Sequence, residues 1–205
     1  MSAITINGKA RSAGLFGLLC LLVCQPNSAA DAQGQYGIRG AGLVNCALYE
    51  HERRIRSPVY QIIAGWMDGY ITGINQYATD TYDTLSFEST EMLAAVISEN
   101  CKKHPNTTVF TVLNAVINQA AHDRLLSPSK KVEVKFGERS VLIYQEVLLR
   151  LQKKLTGAGF YRGPIDGSFN AATRKALGKY QSAKGLKPTE FPDQVTLWRI
   201  FRSPK

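Results

Sequence analysis

The sequence predicts a mainly α protein in two helical parts, and three observations carry that prediction. Between Ser57 and Ile74, apolar residues recur at steps of three and four behind a serine–proline start. Cys46 and Cys101 bracket that stretch, one before it and one after. Near the carboxyl end, two further apolar stripes of helical spacing flank a glycine-rich run from Gly159 to Gly167. A period near 3.6 residues is the mark of a helix with one buried face.

The first segment has the form of a secretory signal over residues 1–32. Lys9 and Arg11 supply a basic start, Ala13 to Val23 an apolar run, and Ala30-Asp31-Ala32 a small-x-small site, which places cleavage before Gln33. A membrane anchor is the competing reading, but the run is about half of the ~20 residues that a spanning helix needs. Cys24 as a lipidated cysteine is a second alternative, with Val23 standing where such sites want a small residue. No later segment is long and apolar enough to span a bilayer, so no stable membrane span is expected once the signal is removed.

Loss of residues 1–32 also removes Cys20 and Cys24 and leaves Cys46 and Cys101. In an exported chain an even pair is expected to form a disulfide, the alternative being two buried thiols. The helices it would join follow from local signals. A first short helix is expected from Leu43 to Arg54. Ser57 caps a second, with Pro58 at its first position and Val59, Ile62, Ile63, Trp66, Met67, Tyr70, Ile71 and Ile74 along one face. Gly65, Gly69 and Gly73 recur every four residues, a spacing that would let another helix approach closely. Residues 79–88 lack periodicity and are expected to form a loop. Ser89 caps a third helix bearing Leu93, Ile97 and Cys101. After His104-Pro105, Asn106 is the expected cap of a fourth, bearing Val109, Val112, Leu113, Val116 and Ile117. The resulting domain spans 33–126.

Residues 127–139 change composition to serine, proline, glycine and charge, which predicts a linker. Val132, Val134 and Phe136 alternate with charged residues, so a short edge strand fits within it. The final domain, 140–205, is expected to hold three helices. Ser140 caps the first, from Val141 to about Thr156, with Gly157 as its left-handed end. Asn170 caps the second and Asp193 the third. Phe160, Ile165, Phe169 and Leu177 are expected in the core.

Charge separates the two parts. Residues 33–132 hold nine Lys/Arg and nine Asp/Glu, whereas 133–205 hold fourteen and six. A cationic module favours a polyanion. For an exported chain, wall carboxylates, wall polymers and lipid headgroups are the available anions, and nucleic acid is not expected.

The ordered set Gln152-x-x-Leu155, Gly159-Phe160, Gly163-Pro164-Ile165-Asp166-Gly167-Ser168-Phe169, Thr173 and Tyr180-Gln181 resembles the small three-helix peptidoglycan-binding domain. That resemblance implies peptidoglycan as the partner and a binding surface at the turn and the following helix start. Tyr161, with no periodic reason to be buried, would pack on a sugar or peptide, and Arg162 would grip a carboxylate in two-pronged fashion. Asp166, Asn170, Thr173 and Gln181 would add polar contacts. Two positions depart from the family pattern: Asn170 where glycine is usual, and Glu190 after Thr189, where glycine would take a positive φ. The second puts ligand contacts from that loop in question.

In the first part, Cys46, then Trp66-x-x-Gly69-Tyr70-x-x-Gly73, then Cys101-x-x-His104-Pro105-Asn106 resembles the HdeA-like and secretion-system immunity-protein group of small periplasmic helical domains. That resemblance implies a protein partner, in a chaperone or inhibitory role.

Catalytic and cofactor chemistry find no support in the sequence. His51, His104 and His122 have no second histidine at ligand spacing, and Glu50-His51-Glu52 lacks a histidine at Ile55. Asp80 and Asp83 have no third ligand nearby. Gly37-x-x-Gly40-x-Gly42 is expected to be a flexible stretch rather than a phosphate loop. No catalytic residue, metal or cofactor is therefore assigned, and the expected function is a non-enzymatic, wall-associated binding protein of the periplasm. A periplasmic chaperone or immunity protein is the alternative, with an accessory of wall hydrolysis behind it.

Overall fold

Seven α-helices and one two-stranded hairpin account for the regular structure among the described residues, which are 30, 31 and 33–202 of the computed structural model. The expected signal segment lies outside them except for Ala30 and Asp31. The chain divides between Tyr36 and Gly37. In the described part before that boundary, Asp31 Oδ1 accepts from the backbone N–H groups of Gln33 and Gln35.

After it, a 3-10 turn at Gly40–Leu43 leads into α1 (Cys46–Ile55), α2 (Pro58–Tyr77), α3 (Thr90–Cys101) and α4 (Val109–Ala120). The starts are chemically marked: Asn45, Ser57, Ser89 and Thr108 each accept a backbone N–H from the first turn of the following helix. The fourth cap is Thr108, not the expected Asn106. Tyr49, Ile63, Met67, Leu93, Ile97 and Leu113 form the centre of the first core. Beside them the Cys46–Cys101 disulfide joins α1 to the end of α3.

Two glycine expectations are overturned here. Gly65, Gly69 and Gly73 face open space, so no helix packs on them. Gly42, expected in a flexible stretch, is buried in the 3-10 turn; a β-carbon there would come within 2.3 Å of the Trp66 ring.

The second part begins with β1 (Lys131–Phe136) and β2 (Arg139–Tyr144), antiparallel, with Val134 opposite Val141 and Val132 opposite Ile143. β1 is the strand anticipated within 127–139. β2 corrects the expected helix start at Val141: residues 139–144 pair with β1, and helix α5 (Gln145–Gly157) begins only afterwards. Helices α6 (Ala171–Ala183) and α7 (Gln194–Arg202) complete the bundle. Its core contains Val147, Leu148, Leu151, Leu155, Leu177 and Leu197.

The two cores interlock. Phe87 and Leu125, from the loops around α3 and α4, sit in the second core, while Trp198 of α7 packs on the first. Arg202 fixes the join: its guanidinium lies 2.6 Å from Glu88 and 2.5 Å from Asp123, and also over the Phe87 ring. Gln194 adds a reciprocal pair, donating to the Phe87 carbonyl and accepting from the Ser89 N–H. Such buried charges are tolerable only because each is paired and hydrogen-bonded.

Candidate functional site

The glycine-rich turn between α5 and α6 is organised from beneath by Gln152. This side chain falls four residues after Leu148 and three before Leu155, on the inner face of α5, and has no exposed surface. Its Oε1 accepts from the backbone N–H groups of Asp166 (3.0 Å) and Gly167 (2.8 Å). Its Nε2 donates to the Ser168 carbonyl at 2.9 Å and to Thr173 Oγ1 at 3.0 Å. One amide thus satisfies the loop backbone on both sides, as buried polar groups require. Gly167 has φ +71°, and a β-carbon there would strike Gln145.

Five of the six residues predicted for wall binding are gathered around this turn, though not all face outward, and the sixth, Gln181, lies under the following loop at Thr189 to Phe191. Tyr161 corrects the expectation of an exposed ring: it is 2% exposed, lies against Gly163, and donates its hydroxyl to the Pro164 carbonyl at 2.8 Å. Thr173 and Gln181 are also fully buried. Asp166 is exposed, but Oδ1 accepts from the Ser168 N–H and hydroxyl. Those donors, with Gln152 behind them, favour the carboxylate and hold its pKa at about 2. Asn170 Oδ1 caps α6, accepting from Ala172 and Thr173. Arg162 alone of the six is exposed with no hydrogen bond or ion pair among the described residues. Ile165, expected in the core, is 42% exposed; Phe160 and Phe169 are half-buried, and Leu177 is fully buried. The left-handed residue after α5 is Gly159 (φ +79°) rather than Gly157.

Gln181 repeats the device on the next loop. Its Oε1 accepts from the Glu190 N–H, and its Nε2 lies 2.9 Å from both Thr189 Oγ1 and Thr196 Oγ1. Glu190 adopts a left-handed φ of 52° despite its β-carbon, and its carboxylate meets Arg174 at 2.8 Å. The loop therefore keeps the conformation that glycine would favour, using a residue that resists it. Gln152 was visible in the sequence only as part of a motif. The signal of its structural role is a polar residue at an apolar register position.

Residues 145–200 match the family model described as "Putative peptidoglycan binding domain", an interval that covers α5, α6 and nearly all of α7 and leaves out the hairpin. No curated protein and no solved structure gives a significant match to the chain. The last three helices thus carry the similarity to a putative peptidoglycan-binding domain. Among the described residues, no group of three or more His, Cys, Asp or Glu side chains could hold a metal ion, and no helix is long and apolar enough to cross a membrane.

Proposed function

We propose that this chain is an exported, non-enzymatic protein of the periplasm or cell surface that attaches to peptidoglycan through residues 140–205 and presents residues 33–126 to a protein partner. The observation that carries the reading is the family match over residues 145–200. The turn that gives the motif its spacing is also intact, with Gln152 and Gln181 each saturated by loop groups. In this reading Asp166, Asn170, Thr173, Tyr161 and Gln181 hold the shape of the wall-facing edge, and Arg162 makes the direct contact there. Binding at one site is weak, and the repeating lattice supplies avidity.

For the first domain, a chaperone or immunity-type role is favoured by exposed apolar side chains. Leu48 and Ile55 lie seven residues apart on α1, and Val59 and Ile62 lie three apart on α2; Ile62 is 66% exposed. Side chains of this kind in pairs on a helix face suit a protein partner.

Sedimentation with purified, protein-free sacculi tests the attachment. The full chain is expected in the pellet at low salt and progressively less as salt rises. A chain that stays in the supernatant at low salt overturns the wall reading. Release of soluble fragments from labelled sacculi would overturn the non-enzymatic one.

A further inference from the structure

Resting on the wall reading, we infer a second binding surface away from the glycine turn: a cationic cleft that takes the carboxylates of the peptidoglycan stem peptide. The cleft has a volume of about 680 Å³ and is formed by α5, the end of α6, α7 and the 3-10 turn at Ala121–Asp123. Lys153 and Lys154 come from α5, Lys184 follows α6, and Arg199 comes from α7. None of these four has a carboxylate partner among the described residues.

The other charged groups lining the cleft are already committed. Arg150 pairs with Glu146 and donates to the Asp123 carbonyl. Asp123, the one acid in the lining, is held by Arg202 at 2.5 and 2.6 Å. His122 directs Nδ1 at the Gln119 carbonyl. Four exposed cations therefore converge with no anion left to neutralise them. A concave surface of one sign concentrates its field on a ligand of the other.

The floor narrows the chemistry. Leu155, Tyr180, Ile200 and Phe201 line it, so the ligand must carry alkyl groups between its anions. Tyr180 is 7% exposed and its hydroxyl makes no hydrogen bond among the described residues, leaving a donor for an incoming carboxylate. Ammonium groups on flexible stems act as movable point charges and suit carboxylates at variable spacing. A short peptide with several carboxylates and small alkyl side chains meets all three demands; a bare phosphate leaves the apolar floor unused.

The wall at His122 and Asp123 lies outside the interval that matches the family model. The Arg202 ion pairs hold Asp123 in place, so this cleft arises from the docking of the two cores in this chain.

The test uses the full chain and charge-matched variants. K153E/K154E and K184E/R199E reverse cations of the cleft; K175E/K179E makes the same change in net charge on exposed α6 positions that do not line it. Retention on sacculi is expected to fall by about tenfold or more in each cleft variant and to stay within about twofold in the control. The exchange K184R/R199K should retain binding, and unchanged thermal melts would show that folding is intact. Competition then identifies the ligand: free stem peptide should release the bound chain, while peptide-free glycan and inorganic phosphate at equal concentration should not. Equal losses in cleft and control variants, or release by phosphate or glycan instead of peptide, overturn the inference and leave the wall reading standing. Absence of binding by the unaltered chain removes both.

Discussion

In the first half a covalent bond ties α1 to the end of α3; in the second, which has no cysteine, two buried glutamines tie loops to helices. The disulfide constrains the chain at a single pair of points and leaves the geometry between them to apolar packing around Tyr49 and Ile63. Gln152 and Gln181 instead dictate the local path, because each fills donors and acceptors of a particular loop. A cross-link therefore suits a bundle with long connections, and a buried amide suits a turn whose exact shape is to be presented outward. The two devices also answer to different conditions, one to reductant and the other to the completeness of its hydrogen bonds.

The largest expected effect comes from removing the cross-link. Cys46 and Cys101 are separated by 55 positions, and freeing a loop of that length costs about 4 kcal/mol by chain entropy. The double variant C46A/C101A should lose stability of that order in urea melts. Its amide spectrum should change around residues 40–125 and stay the same around Asp166 to Ser168. Changes that spread equally into that turn would dissolve the contrast drawn above.

Next is Gln152→Ala, which strands the N–H groups of Asp166 and Gly167 and leaves the Ser168 carbonyl only the Thr173 hydroxyl. Several unmet buried groups cost about 3 kcal/mol together. Gln152→Glu should not rescue it, since a carboxylate cannot donate to Ser168 and would face Asp166. Rescue by glutamate would mean that the amide's donor side is dispensable.

Gly42→Ala probes the packing half of the comparison. The added methyl meets the Trp66 ring at 2.3 Å, and overpacking of this kind costs about 2 kcal/mol. Gly65→Ala, with open space at its β-carbon, should instead stabilise α2 by up to about 1 kcal/mol. Equal effects at the two sites would contradict the packing described here.

The helix starts, the apolar stripes and the cysteine pair were legible because each is written within a few residues: a serine before a proline, a period of three and four. The strand β2 was not. Val141, Tyr144 and Leu148 fit a helical stripe as well as Val141 and Ile143 fit a pleat, and only pairing with β1 decides between them. The burial of Tyr161 was not legible either, because it depends on Pro164 and Gly163 folding back over the ring, a contact with no periodic signature. The cationic cleft was legible only as a charge excess. Its members come from three helices and the 121–123 turn, and their convergence is a product of tertiary structure.

Glu190→Gly should act on the second loop by a smaller amount. A left-handed φ of 52° costs a residue with a β-carbon about 1 kcal/mol, while the half-exposed Arg174 pair returns a fraction of that. In an Arg174→Ala background the glycine should gain up to about 1 kcal/mol, and less in the native background. The same gain in both would show that the ion pair contributes nothing to holding the loop.

The smallest effect is a titration. The Asp166 carboxyl sits at about 2, below its ordinary 3.8, held first by the Ser168 hydroxyl, then by the Ser168 N–H and by Gln152. Because the folded value is the lower one, the stabilisation is complete above the unfolded value and is lost as pH falls from about 4 through about 2. The group is solvent-exposed, so the change is local and is best followed by carbon NMR of the carboxyl itself. Ser168→Ala should move the midpoint upward, since it removes the leading donor. If the midpoint stays put in that variant while the Gln152 bonds remain, the turn is held by the buried amide alone, and the surface layer of the network carries none of the constraint.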